Sequence, residues 1–320
     1  MDFETASDAS STPPVPVRPP RGFLEKVFLN DEGLLRAGCR LLLYGLFWFT
    51  FSYGLQLAAI GFFGVAADQL SPQWILQEDL LSFIAAFGAT LVMAQLEHRP
   101  VDIYGLPRAQ TFGKLFWQGW LLGLVEITLL VGLIAAFGGY SFGSLFLHDL
   151  EVARWGAVWF VAFVSVALSE EYLFRGYTQY TLAQGIGFWP AAILLSVLFG
   201  ALHLRNPGES YVGAAGVVAT GLLFAFTLRR TGNLWLAVGW HASFDFGETF
   251  LYSVPDSGML LAPHVSGATL HGKAWLTGGT VGPEGSVFSF LTMGILAIAI
   301  HFLFPAKKSE PAQIQQSQAS

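Results

Sequence analysis

Long apolar stretches recur along this chain and are separated by short polar or glycine-rich breaks. A helix that crosses a membrane needs about 20 mostly apolar residues. The pattern predicts an all-α fold, a polytopic membrane helix bundle of about eight transmembrane helices. The predicted spans are, with approximate limits, 40–66, 79–97, 113–137, 154–182, 187–204, 211–229, 233–252 and 284–304.

The segments outside the spans are polar or rich in turn-forming residues. Residues 1–22 are rich in Ser and Pro, and residues 306–320 are similarly polar, so we expect two disordered tails. Between them, 23–305 is expected to form a single transmembrane helical domain. Residues 253–283 are rich in Gly and Pro and too polar to span, so they are expected to be a long loop.

Composition agrees with a membrane protein. The 320 residues are 53% hydrophobic and 12% charged, with a mean hydropathy of +0.54, whereas soluble domains carry about 25% charged residues. The lipid bilayer is therefore an expected partner, and nucleic acid is not. Cys39 is the single cysteine, which excludes an intrachain disulfide.

Basic residues orient the predicted spans, because cytoplasmic loops of membrane proteins carry an excess of Lys and Arg. With the N-terminus in the cytoplasm, Arg154, Arg205 and Lys273 lie outside and Arg175 lies within the membrane. The remaining basic residues are inside: Arg18, Arg21, Lys26, Arg36, Arg40, Arg99, Arg108, Lys114, Arg229, Arg230, Lys307 and Lys308. This asymmetry predicts a multi-pass protein of the plasma (inner) membrane with both termini cytoplasmic.

Two adjacent glutamates and an arginine lie inside the fourth predicted span. Each charge at that depth costs roughly 2.5–3.5 kcal/mol on insertion scales, so these groups need partners. Glu171 and Arg175 are four residues apart on one helix face, which predicts a structural ion pair. Glu170 points elsewhere and is expected to face a wet cavity as a general base. A purely structural ion-pair network is the alternative interpretation.

Two further polar clusters lie in other predicted spans. His203 ends the fifth span, with Phe199 and Gly200 on the same side of the helix. His203 is either a packing residue or a functional one. His241 and Asp245 are four apart on the seventh span, so the carboxylate can orient the imidazole, or both can bind a metal.

The positions along the helices predict that these clusters meet. Glu170 lies about 15 residues before the turn near residue 185 and His203 about 18 after it, so their depths differ by about 5 Å. His241 lies roughly 16 Å above the same membrane face, counted from Arg230. Three helices therefore bring an acid and two imidazoles to a similar depth.

Two other acids have open interpretations. Glu126 lies alone in the third predicted span, where it either pairs with Arg175 or faces a polar cavity. Glu248 continues the helix face of His241, and the sequence assigns it no role.

In order along the chain, the three motifs resemble those of the CPBP family of intramembrane proteases, also called Abi. That family includes the type II CAAX prenyl endopeptidases. The motifs are Glu170 to Arg175, Phe199 to His203 and His241 to Asp245, within a core of about residues 150–255. The resemblance implies an intramembrane endopeptidase acting on a membrane-associated peptide or protein, with no assumption that the substrate is lipidated.

The resemblance also implies roles for Glu170, Glu171, His203, His241 and Asp245 as catalytic residues. Glu170 with His203 would activate water, and His241 with Asp245 would steady the oxyanion. An ionised Asp cannot donate a hydrogen bond to an oxyanion, so Asp245 must be protonated, orient His241 or bind a cation.

The motifs are compatible with a mechanism that uses a metal and with one that does not. Glu170, His203, His241 and Asp245 are chemically suitable ligands for zinc, which would make the protein a metalloprotease. A metal-free mechanism with a glutamate-activated water is the alternative.

Two other classes of function compete with a protease. The first is a catalytically silent membrane scaffold or immunity protein, although such a protein has no chemical need for Glu170, His203 and His241 together. The second is an ion or metal transporter that uses the same acids and imidazoles as a relay. A transporter would predict a continuous polar path and paired broken helices, and the sequence shows neither clearly.

Overall fold

The computed structural model describes residues 22, 28–30, 33, 35–64 and 71–305. The predicted tails, 1–22 and 306–320, lie outside the described residues apart from Gly22. The chain divides into two units, Met1–Arg36 and Ala37–Ser320. In the first unit, Leu29 and Leu35 form an antiparallel bridge.

Helices make up most of the described part of the second unit. In chain order they are α1 (Ala37–Phe63), α2 (Pro72–Leu96), α3 (Lys114–Ala136), α4 (Leu150–Arg175), α5 (Tyr177–Ile186), α6 (Phe188–His203), α7 (Tyr211–Thr231), α8 (Trp235–Phe246), α9 (Ala274–Thr277) and α10 (Val287–Leu303). A five-residue π-helical segment, Gly247–Leu251, directly follows α8. Strands β1 (Tyr140–Ser141) and β2 (Thr269–Leu270) pair antiparallel, with Tyr140 opposite Leu270.

Each predicted span coincides with a helix, but the helices differ in length. Among the residues that the structure describes, five stretches are long and apolar enough to cross a membrane: Ala37–Phe62, Pro72–Leu96, Lys114–Ala136, Leu150–Ile186 and Tyr211–Thr231. α6 and α10 have 16 and 17 residues and α8 has 12. At 1.5 Å per residue these three are shorter than the hydrocarbon core of about 30 Å. An all-α membrane bundle therefore fits the structure, and the count of about eight transmembrane helices stays a prediction.

Glycines let α3 and α8 pack backbone to backbone. A Cβ at Gly119 would lie 2.1 Å from the carbonyl oxygen of Leu236, and one at Gly239 would lie 2.0 Å from that of Phe116. Small residues allow this close approach between membrane helices. The contact positions α8, which carries His241, against α3.

A buried ionic cluster joins α1, the end of α2 and α5. The guanidinium of Arg40 donates to the carboxylate of Glu97 and to the side-chain oxygen of Gln184, and the hydroxyl of Tyr177 also donates to Glu97. Because Arg40 and Glu97 are almost fully buried, the pair fixes the start of α5. The fourth predicted span consists of two helices, α4 and α5, with Gly176 between them.

The predicted loop 253–283 has little regular structure. It contains β2, α9, a bridge between Asp256 and Met259, and the start of a 3-10 helix, Pro283–Gly285. Its backbone is nevertheless tied to the helices. The indole N–H of Trp159 donates to the carbonyl of Pro263 at 2.7 Å, and the amide of Asn206 donates to the carbonyl of Ser257 at 3.0 Å. The loop forms one wall of a cavity between the helices, through Asp256, Ser257, Met259 and Leu261.

Candidate active site

A cavity of about 320 Å³ lies between the helices and the loop. Its lining includes one side chain or more from each of the three motifs: Glu170 on α4, Phe199 and His203 on α6, and His241 and Asp245 on α8. The cavity therefore brings together the residues that sequence analysis placed at a similar depth.

The carboxylate of Glu171 joins α4 to α8. Arg175 donates from Nη1 to Oε1 of Glu171 at 3.1 Å, and the same oxygen lies 3.1 Å from Nδ1 of His241. The Glu171 side chain is 0% exposed and that of Arg175 is 1% exposed. A carboxylate only accepts, so Nδ1 of His241 carries the hydrogen. Glu171 thus both pairs with Arg175 and orients the imidazole.

The other ring nitrogen of His241 faces two carboxylates. Nε2 lies 3.6 Å from Oε2 of Glu170 and 3.4 Å from Oδ2 of Asp245. Both distances exceed the usual hydrogen-bond length. The ring of Phe224 stacks against the imidazole, with centroids 5.5 Å apart. Nε2 is therefore held at the cavity and is available to another oxygen.

The two adjacent glutamates have different environments. The side chain of Glu170 is 28% exposed, whereas that of Glu171 is fully buried. Glu170 lines the cavity, and so does Asp79 on α2. Sequence analysis missed Asp79, although an acid within an apolar helix was a signal that could have found it.

His203 lies at the end of α6 with a defined hydrogen bond. Its Nδ1 lies 2.9 Å from the carbonyl oxygen of Phe199, one turn earlier. Because a carbonyl only accepts, Nδ1 is the donor and Nε2 of the neutral ring is an acceptor. Within the described residues, no hydrogen bond or ion pair joins His203 to Glu170, so cooperation between them needs a molecule in the cavity.

The predicted zinc ligands do not fit a zinc ion as arranged. Tetrahedral zinc holds its ligand atoms at about 2.0–2.2 Å, so ligand atoms lie within about 4 Å of one another. Among the described residues, one group of three or more His, Cys, Asp or Glu side chains brings its ligand atoms within 4.8 Å of one another. That group contains none of Glu170, His203, His241 and Asp245. These four side chains therefore do not form a zinc site as arranged.

Glu126 does not pair with Arg175, so that interpretation is wrong. Its Oε2 accepts from the indole N–H of Trp240 at 2.7 Å, and its Oε1 accepts from the hydroxyl of Thr292 at 3.4 Å. Glu126 is buried and lines the cavity. The structure thus agrees with the alternative, a polar cavity.

Two acids from outside the long helices also line the cavity, and sequence analysis missed both. Asp256 accepts from the hydroxyl of Thr249 at 3.1 Å, and Glu284 accepts from the backbone N–H of Ser257 at 2.6 Å. Burial raises the pKa of the Asp256 carboxyl and that of the Glu284 carboxyl above their ordinary values, and the nearby charge of Asp256 adds to the rise for Glu284. No short motif marked them, because they lie in irregular segments.

Residues 152–247 match the family described as type II CAAX prenyl endopeptidase Rce1-like. The matched segment is under a third of the 320 residues and contains all three motifs. The match confirms the resemblance drawn from those motifs. No curated protein and no solved structure matches the chain.

Proposed function

We propose, from the match of residues 152–247 to an endopeptidase family, that the chain is an intramembrane endopeptidase. Its substrate would be a membrane-associated peptide or protein. One observation carries the proposal: His241 is held by Glu171 at one ring nitrogen and faces Glu170 with the other, at a shared cavity. A silent scaffold would have no need for this arrangement.

Glu170 is the proposed general base. Its carboxylate is partly exposed at the cavity, where a water molecule can reach it. Glu170 takes one proton from this water while the water oxygen bonds to the carbonyl carbon of the substrate. A neutral Nε2 of His203 accepts the other hydrogen as a hydrogen bond and so orients the water.

His241 is the proposed donor to the oxyanion. In its protonated form, Nδ1–H stays on Glu171 and Nε2–H donates to the negatively charged oxygen of the tetrahedral intermediate. The contact from Nε2 to Asp245 is long, so it keeps the ring oriented without occupying the donor in a strong hydrogen bond. Asp245 is thus a positioning residue in this proposal.

The proton then returns to the leaving group. When the C–N bond breaks, its electron pair stays on nitrogen, and Glu170 gives that nitrogen the proton it took from water. The products are a carboxylic acid and an amine, and Glu170 is again ionised. The cycle needs no metal and no second base.

Chelation tests the metal-free mechanism. The purified protein in detergent is incubated with a peptide library, and cleavage products are identified by mass spectrometry with and without 1,10-phenanthroline. This nitrogen chelator prefers zinc over calcium and magnesium. We expect the same products at an unchanged rate, and less than one zinc per chain by elemental analysis.

Two other outcomes would change the proposal. Cleavage that phenanthroline abolishes and added zinc restores would identify a metalloprotease and overturn the metal-free step. If folded protein cleaves nothing in the library or in membranes of the source cell, the scaffold function gains support.

We also propose that both termini are cytoplasmic in the plasma membrane. Twelve of the 16 basic residues then lie on the cytoplasmic side, as sequence analysis found. The loop 253–283 would lie on the opposite side. Reporter fusions at the C-terminus and within this loop check the orientation, and activity of a cytoplasmic reporter at the loop would contradict it.

A further inference from the structure

Three carboxylates converge at the end of α8. Glu248 comes from the π-helical segment, Asp256 from the loop, and Glu284 from a short 3-10 helix, Pro283–Gly285, before α10. One carboxylate oxygen from each of the three residues lies within 4.8 Å of the corresponding oxygens of the other two. The three segments are far apart in sequence and meet only through the fold.

Glu248 has no partner for its charge. It is 0% exposed, and neither of its carboxylate oxygens has a hydrogen-bond partner. The backbone N–H of Glu284 faces this carboxylate without reaching hydrogen-bonding geometry. A buried carboxylate without a partner is costly, because it has lost its hydration and gained nothing in return.

The other two carboxylates do not neutralise Glu248. Asp256 receives one hydrogen bond from Thr249, and Glu284 receives one from the backbone of Ser257. No lysine or arginine in the described part of the chain forms an ion pair with any member of the group. Within the described residues, the three adjacent acids therefore have no lysine or arginine as a counter-charge.

We propose that Glu248, Asp256 and Glu284 bind a calcium ion. The group offers oxygen ligands only, which hard cations prefer and zinc does not. Two oxygens bound to the same calcium are at most about 5 Å apart at Ca–O distances of 2.3–2.6 Å. One oxygen from each of the three carboxylates lies within 4.8 Å of the others, so the three can reach one calcium ion. Calcium tolerates the irregular geometry that three unrelated segments provide, whereas magnesium requires a near-ideal octahedron.

The ion would fasten the wall of the cavity. Glu248 lies three residues after Asp245 on the segment that continues α8, and Asp256 and Glu284 both line the cavity. A bound ion would thus join α8, the loop and the start of α10. This site is distinct from Glu170 and His241, and the inference does not rest on the proposed function.

Calcium binding to the full chain in detergent is the test. The protein is stripped with EGTA and then titrated with calcium chloride, and binding is measured by equilibrium dialysis with radiolabelled calcium. We expect about one ion per chain, and a rise of about 5 °C in the midpoint of thermal unfolding at a hundredfold excess over Kd. Magnesium chloride is expected to give a smaller shift.

Two variants make the test specific. Glu248→Gln is expected to lose calcium binding and the thermal shift, whereas Glu151→Gln, an exposed acid in the first turn of α4, keeps both. If Glu248→Gln does not fold, Glu284→Gln at the half-buried position replaces it. Failure of the folded protein to bind calcium would overturn the proposal, and so would unchanged calcium binding in the folded Glu248→Gln variant.

Discussion

Replacing Glu170 with glutamine is expected to lower the rate of peptide cleavage by about a thousandfold, the typical contribution of a general base. Glutamine has the same shape as glutamate but cannot accept the proton of the attacking water. The fold should survive, because the Glu170 side chain is partly exposed and lies 3.6 Å from His241 without a hydrogen bond. Cleavage of a library-derived peptide, measured by mass spectrometry, gives the rate.

A matched control separates chemistry from folding. Glu151→Gln makes the same change on the same helix at an exposed position, so both activity and thermal midpoint should equal those of the parent. The thermal midpoint of Glu170→Gln should also be unchanged. A well-folded Glu170→Gln protein with full activity would disprove the base assignment.

Replacing Arg175 with alanine is expected to be the most destabilising single change at the site. It leaves the fully buried carboxylate of Glu171 without its arginine partner and with His241 as its remaining contact. Breaking a buried ion pair costs about 3–5 kcal/mol. Glu171 also orients His241, so any folded fraction should cleave slowly. Yield from the membrane and the midpoint of thermal unfolding measure the first effect.

Arg154→Ala removes an exposed arginine from the same helix and is the control, with no expected loss of yield. The double variant Glu171→Gln with Arg175→Met removes both charges, so it should recover much of the yield without recovering activity. Normal yield of Arg175→Ala with reduced turnover would contradict the structural role of the pair.

Sequence alone was enough to identify features that depend on local periodicity. Apolar stretches predicted where the helices lie, and the spacing of four residues placed Glu171 with Arg175 and His241 with Asp245 on shared faces. Residues four apart on an α-helix are neighbours whatever the rest of the fold does. The three motifs also carried the resemblance that the family match confirms.

Helix lengths needed the structure. The sequence pattern continued the seventh span as one helix to residue 252, whereas α8 ends at Phe246 and a π-helical segment follows. The fourth span is likewise divided at Gly176. Hydrophobicity does not reveal such changes, because α-helical and π-helical turns can bury the same apolar side chains.

Only the tertiary structure decided which groups share a partner. The contact of Glu171 with His241 joins residues 70 apart, and that of Glu126 with Trp240 joins residues 114 apart. The first depends on the packing of α8 against α4 and the second on its packing against α3, where glycines let the two backbones meet. Tertiary structure also decides the meeting of Glu248, Asp256 and Glu284. Irregular segments have no period from which their neighbours could be inferred, so these three charges converge only when the chain has folded.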